Sequence, residues 1–171
     1  MAALATGLGG CALVSPAPAW ELLKAASVAA QAGLAQQNLR ATGTVHHGQA
    51  MPSALCIEFN PDAPVPDLVP VLQQELRRHD VDSRVYARGA PAPACSHWLR
   101  YTAAIAWDRL ALGGEPAAYL RQATLTLQQG DGRVLASSGY DLDATAIGNK
   151  WAGTRAKLAP VVEALVYGQD S

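Results

Sequence analysis

Charge and sulfur are both scarce in this 171-residue chain. Only 16% of its residues are charged, 13 basic against 14 acidic for a formal net charge of −1. No basic patch gathers them, so no field exists to hold a nucleic-acid backbone. Two isolated cysteines, Cys56 and Cys95, and the His46-His47 pair lack the close ligand spacing of a structural zinc site, and no metal or other cofactor is expected. Beyond the first residues no apolar run reaches the ~18 residues of a membrane-crossing helix. Catalytic signatures are missing too: there is no Gly-x-Ser-x-Gly elbow, His-Glu-x-x-His pair or Gly-Lys-Ser phosphate cradle. The expectation is a protein that is not an enzyme.

What the chain does have is apolar substance, 50% of its residues, enough for one compact domain with a tether. Its most informative short motif is Leu8-Gly9-Gly10-Cys11, small residues directly before a thiol. It reads as the processing site of a bacterial lipoprotein. The expectation is that residues 1–10 are the remnant of a signal peptide and that Cys11 carries the lipid, more than one acyl chain being needed for stable anchoring. Met1 to Gly10 hold no Lys or Arg, unlike the basic start of a secretory signal, which points to a translation start further upstream. The alternative is a Gly-rich N-terminus with a stray thiol. Ala12 follows the cysteine where an Asp would retain the protein at the inner membrane, so the expected location is the periplasmic side of the envelope at the outer membrane.

With Cys11 acylated, Cys56 and Cys95 remain, 39 positions apart. In an oxidising compartment an even pair is expected to form a disulfide. The alternative is two buried free thiols packing as small hydrophobes.

Residues 11–52 form the expected anchored segment, with an Ala-rich helix over about Trp20 to Arg40 and a linker from Thr42 to Pro52 marked by Gly43 and Gly48. Residues 53–168 are expected to form the folded domain. Leu55, Ile57 and Phe59 alternate with polar partners as in a half-buried strand. Val65, Val69, Leu72 and Leu76 then repeat at helical spacing until His79-Asp80. Val81 to Ala87 is a short strand, and three antiparallel strands follow over His97–Trp107, Tyr119–Gln128 and Arg133–Leu142, the last two joined by a Gly130-containing turn. A final helix carries Trp151, Leu158, Val162 and Leu165 and is kinked or split by Pro160. The expected fold is therefore α+β: a mostly antiparallel sheet of four to five strands with two helices on one face.

The uncovered face of such a sheet would show Glu58, Trp98, Arg100 and Thr102. Trp beside Arg is the composition of an interface anchor, and the alternative is a Trp98 packed beneath the Trp20 helix. Trp107-Asp108 could recognise a hydroxylated ligand, against the ordinary reading of a core Trp ending its strand. The partners expected are the membrane, through the lipid, and an envelope protein or a further copy of the chain. The function expected is a non-enzymatic assembly or accessory factor, with a small-molecule or glycan-binding module as the alternative.

Several segments carry a resemblance: Cys56-Ile57-Glu58-Phe59-Asn60-Pro61, Cys95, Tyr101 to Trp107-Asp108, Tyr119 to Ala123, the Gly132 turn with Tyr140, and Asn149-Lys150-Trp151. Over Ser53 to Leu165 the chain resembles an uncharacterised family of short proteobacterial lipoproteins. The resemblance implies an exported, lipid-anchored domain with no known reaction. The order of elements also resembles the small α+β domain of the Tol translocation protein, of outer-membrane activators of penicillin-binding proteins, and of the ring-forming lipoprotein of Pel polysaccharide export. This chain departs from the family in its long Ala-rich segment before Ser53 and in its weak signal peptide.

Overall fold

The structure is a computed structural model and describes residues 39–110, 115–142 and 150–168. Cys11, Trp20 and most of the expected Ala-rich helix lie outside the described residues. Of that helix only Leu39 and Arg40 are described, and both are non-helical.

Strand β1 (Thr42–His46) is followed by β2 (Ala54–Phe59), helix α1 (Leu68–Arg78) and β3 (Asp82–Ala87), and then by three long strands, β4 (His97–Asp108), β5 (Ala117–Gln129) and β6 (Val134–Asp141). Helix α2 (Thr154–Tyr167) closes the domain. Together the strands make one six-stranded sheet in the order β1-β6-β5-β4-β2-β3.

Two expectations about the sheet are corrected. It has six strands rather than four to five, and it is mixed. β2 pairs in parallel with both β3 and β4, whereas β4, β5, β6 and β1 pair antiparallel. The parallel part follows from the crossover: α1 carries the chain back to its starting end, so β3 must run alongside β2 in the same direction. The sixth strand is β1, in the stretch read as linker, and the folded unit therefore begins upstream of Ser53. Gly43 has φ 62° and sits in a bulge between Thr42 and Val45, which breaks the alternation that marks a strand in sequence. Only the free edge of β6 makes a strand of it. There the bare Gly139 lets it approach, since a Cβ on Gly139 would stand 3.1 Å from the Ala123 carbonyl and 3.4 Å from that of Thr42.

The core lies on one face of the sheet. Leu55, Ile57, Leu99, Leu125 and Leu127 pack with Leu72 and Leu76 of α1 and with Leu158, Val162 and Leu165 of α2, all buried. Pro70 stands in the first turn of α1, where its missing N–H would have had no partner. Pro160 does not split α2, which runs unbroken to Gly168, a left-handed C-cap with φ 74°. The helices are tied by charge as well as by apolar contact. Glu75, 2% exposed, accepts from Arg155 Nε at 2.7 Å and lies 3.5 Å from Arg78.

Candidate functional site

Cross-strand partners share a face, so the register fixes what the side of the sheet away from α1 and α2 displays. Cys56 stands opposite Arg84 and Trp98, Glu58 opposite Tyr86, Trp98 opposite Gln128, Arg100 opposite Thr126, and Thr102 opposite Thr124. The four residues expected on this face do share it. Arg100 holds Glu58 at 3.3 Å and Gln128 at 3.1 Å. Trp98 stacks edge-on against Tyr86, ring centres 5.9 Å apart. The result is an aromatic pair beside a compensated ion pair, with threonines beyond. Tyr86 and Gln128 escaped the sequence reading because their membership depends on pairing between distant strands.

Cys56 and Cys95 are disulfide-bonded, with Cα atoms 5.9 Å apart. The bond has an architectural reason. β3 and β4 both run parallel to β2 on its two sides, so the segment from Arg88 to Ser96 must travel back along β2 before β4 begins. Cys95 pins the end of that return to the middle of β2, and Gly130 N donating to Ser96 O at 2.9 Å holds it to the β5–β6 turn. The other end is fixed by Arg88, which bonds Asp62 at 2.9 Å and also Asn60. Beside the disulfide lies a cleft of about 390 Å³ lined by Arg84, Tyr86, Ser96 and His97, among others.

Trp107 and Asp108 occupy the far end of β4. Trp107 is 65% exposed, which corrects the ordinary reading of a core Trp: the strand runs past the helices, and nothing in the described core reaches its ring. Asp108 accepts from Lys150 Nζ at 2.5 Å and from Arg109 N at 2.7 Å. The Lys150 hydrogen bond, with help from the Arg109 N–H, holds the Asp108 carboxyl below its usual range, and the same bond raises Lys150. Trp107 and Asp108 do not meet Trp98; the face and the strand end are separate places.

Next to Lys150 is a group that the sequence reading missed. Lys157 is fully buried and donates to the carbonyls of Leu120 and Lys150 at 2.7 and 2.8 Å. Its Nζ lies 5.7 Å from the Tyr119 ring centre and 5.5 Å from that of Tyr140. Burial lowers Lys157 to about 8 and raises Tyr140 to about 12, with Asp141 adding to the latter. The Tyr140 oxygen has no hydrogen-bond partner among the described residues. Sealed from solvent, Lys157 serves packing and backbone satisfaction. Its sequence signal was a lysine standing inside the apolar stripe of α2.

Among the described residues no three His, Cys, Asp or Glu side chains group as metal ligands, and no helix is long and apolar enough to cross a membrane. No family model matches the chain, and no curated protein does. Among solved structures it is similar to the PelC dodecamer from Paraburkholderia phytofirmans, at 15% identity and a TM-score of 0.45 over 69% of this chain and 96% of that one. It is likewise similar to a point-substituted form of the same dodecamer, at 15% identity and a TM-score of 0.43 over 71% of this chain and 96% of that one.

Proposed function

We propose that this chain is an exported envelope protein, anchored through lipid on Cys11 at the periplasmic side of the outer membrane. In this reading it catalyses no reaction and serves as an assembly or accessory factor. Its open sheet face, around Trp98, Arg100 and Glu58, receives another envelope protein, aided by the Ala-rich segment before β1. The observation that carries the reading is the Cys56–Cys95 bond. Structural disulfides persist in oxidising compartments and are rare in the cytosol, and this one holds the return loop against the strand next to Trp98. The face beside it combines a half-buried Trp, a Tyr and an Arg, the residue types that anchor protein interfaces.

Two measurements test it. Mass spectrometry of the protein from its native membranes should find acyl chains on Cys11 and Cys56 joined to Cys95; a soluble, unacylated, fully reduced chain refutes the reading. A photo-crosslinker placed at Arg100 should capture one defined envelope protein that the same probe at Glu163, exposed on the helix layer, does not. A second reading, glycan binding, is favoured by the bare Trp107 ring beside Asp108. It is upheld if envelope oligosaccharides quench Trp fluorescence and Trp107→Ala abolishes the response.

A further inference from the structure

β3 is one end of the sheet, and among the described residues nothing beyond it is paired. In a parallel ladder alternate residues turn both backbone groups to the same neighbour. The Asp82 N–H donates to Ser53 O at 2.9 Å, so Asp82, Arg84 and Tyr86 bond toward β2 while Ser83, Val85 and Ala87 turn outward. Two of the outward carbonyls are engaged: Ser83 O accepts from Gln73 Nε2 at 3.3 Å and Ala87 O from Ala90 N at 3.0 Å. Among the described residues nothing meets the Val85 N–H or C=O, and its side chain is 39% exposed. A strand edge left this way is a template for another strand.

We propose that β3 pairs antiparallel with β3 of a second copy of this chain, about a two-fold axis through Val85, joining two sheets into one. The register follows from the side chains. Outward-bonding residues must face outward-bonding residues, so a symmetric pairing centres on a single residue. A centre at Arg84 sets that guanidinium against its own copy, like charges that destabilise a cross-strand pair, and a centre at Tyr86 overlaps only Val85 to Ala87. Centres nearer either end overlap only half the strand. The centre at Val85 overlaps it from Ser83 to Ala87. It joins the two free Val85 groups by reciprocal hydrogen bonds and places Arg84 across from Tyr86 of the second copy, a cation over a ring. Each contact occurs twice because the axis repeats it. Since Tyr86 already stacks on Trp98, the pairing would extend that aromatic strip across the junction. This self-pairing uses an edge, whereas the function proposed above uses a face, and it stands whether or not Cys11 is acylated.

The test uses the full chain with Cys11→Ser to remove the free thiol. Directly opposed, hydrogen-bonded residues have Cα atoms about 5.5 Å apart, within the ~4.4–6.8 Å reach of a disulfide, while Ser83 and its copy would lie at least ~13 Å apart along the strands. Mild oxidation should therefore link Val85→Cys into a covalent dimer at least ~10-fold faster than Ser83→Cys. The reverse order, or equal rates, overturns the register. Sedimentation of the chain with native β3 should show a concentration-dependent dimer. Val85→Pro, at an edge position whose N–H has no partner among the described residues, should abolish that dimer and leave the far-UV spectrum unchanged. A chain that stays monomeric with native β3, or a proline variant that still dimerises, overturns the proposal.

Discussion

The buried lysine gives the sharpest quantitative prediction. Lys157 falls from 10.5 to about 8 on folding because burial penalises its charged form. Between those values the unfolded chain binds a proton that the folded chain has released, so stability rises with pH. At ~1.36 kcal/mol per pKa unit, the whole effect is about 3 kcal/mol, of which about 2 kcal/mol falls between pH 8 and pH 10. This contribution is complete above 10.5 and lost as pH falls through 8. Tyr140 works in the opposite direction. Its raised value of about 12 gives stability that is full below 10 and lost as pH climbs through 12, so pH 8 to 10 isolates the lysine. Urea unfolding of the Cys11→Ser chain, non-reducing, should show a midpoint that climbs across this window. Lys157→Met, which keeps the stem but carries no proton, should flatten the curve. A starting protein with no rise from pH 8 to 10, or a Met variant with the same rise, refutes the assignment of a desolvated ammonium at this place.

Removing the crosslink with Cys56→Ser and Cys95→Ser should lower unfolding free energy by about 4 kcal/mol, the closure entropy for a loop of 39 residues; a loss under about 1 kcal/mol would show that the return loop needs no pin. Arg155→Met strips the nearer cation from the buried Glu75 and should cost about 2–3 kcal/mol, whereas the double variant with Glu75→Leu should recover most of that, because no buried charge is left uncompensated. Thermal denaturation read as a double-mutant cycle checks it, and additive losses would rule out the coupling. Gly139→Ala should push β1 and β5 off β6 and cost about 1–3 kcal/mol, with backbone amides of Thr42 to His46 gaining the most hydrogen exchange; unchanged exchange there would remove the steric account of how β1 docks.

The local elements were legible because their cause is local. Leu72 and Leu76 fall on one side of α1, and His97 to Trp107 alternate, since the burial of one face dictates those periods. The Gln129 to Arg133 turn carries its own instruction in two glycines, and its closing bonds, Gln129 N to Arg133 O and Gly132 N to Gln129 O, are both 2.9 Å. Thr42 to His46 gave no such signal: its strand exists only because the edge of β6 is free and Gly139 is small. The candidate face was half legible. Alternation in β2 and β4 placed Glu58, Trp98, Arg100 and Thr102 together, but Tyr86 and Gln128 joined them through register, which is a relation between segments. Trp107 was misjudged because burial depends on how far a strand outruns the helices that cover it.

The α+β class, the two helices and the central strands are written in the local pattern of residues, which also made Cys56 and Cys95 natural partners. The mixed pairing, the addition of β1 outside β6, an outer edge of β3 unpaired among the described residues, and the lysine sealed between two tyrosines arise from contacts between distant segments. The difference is one of range. Periodicity and turn chemistry act over a few residues and can be read along the chain, whereas strand order, register and burial are settled by which distant surfaces exclude water together.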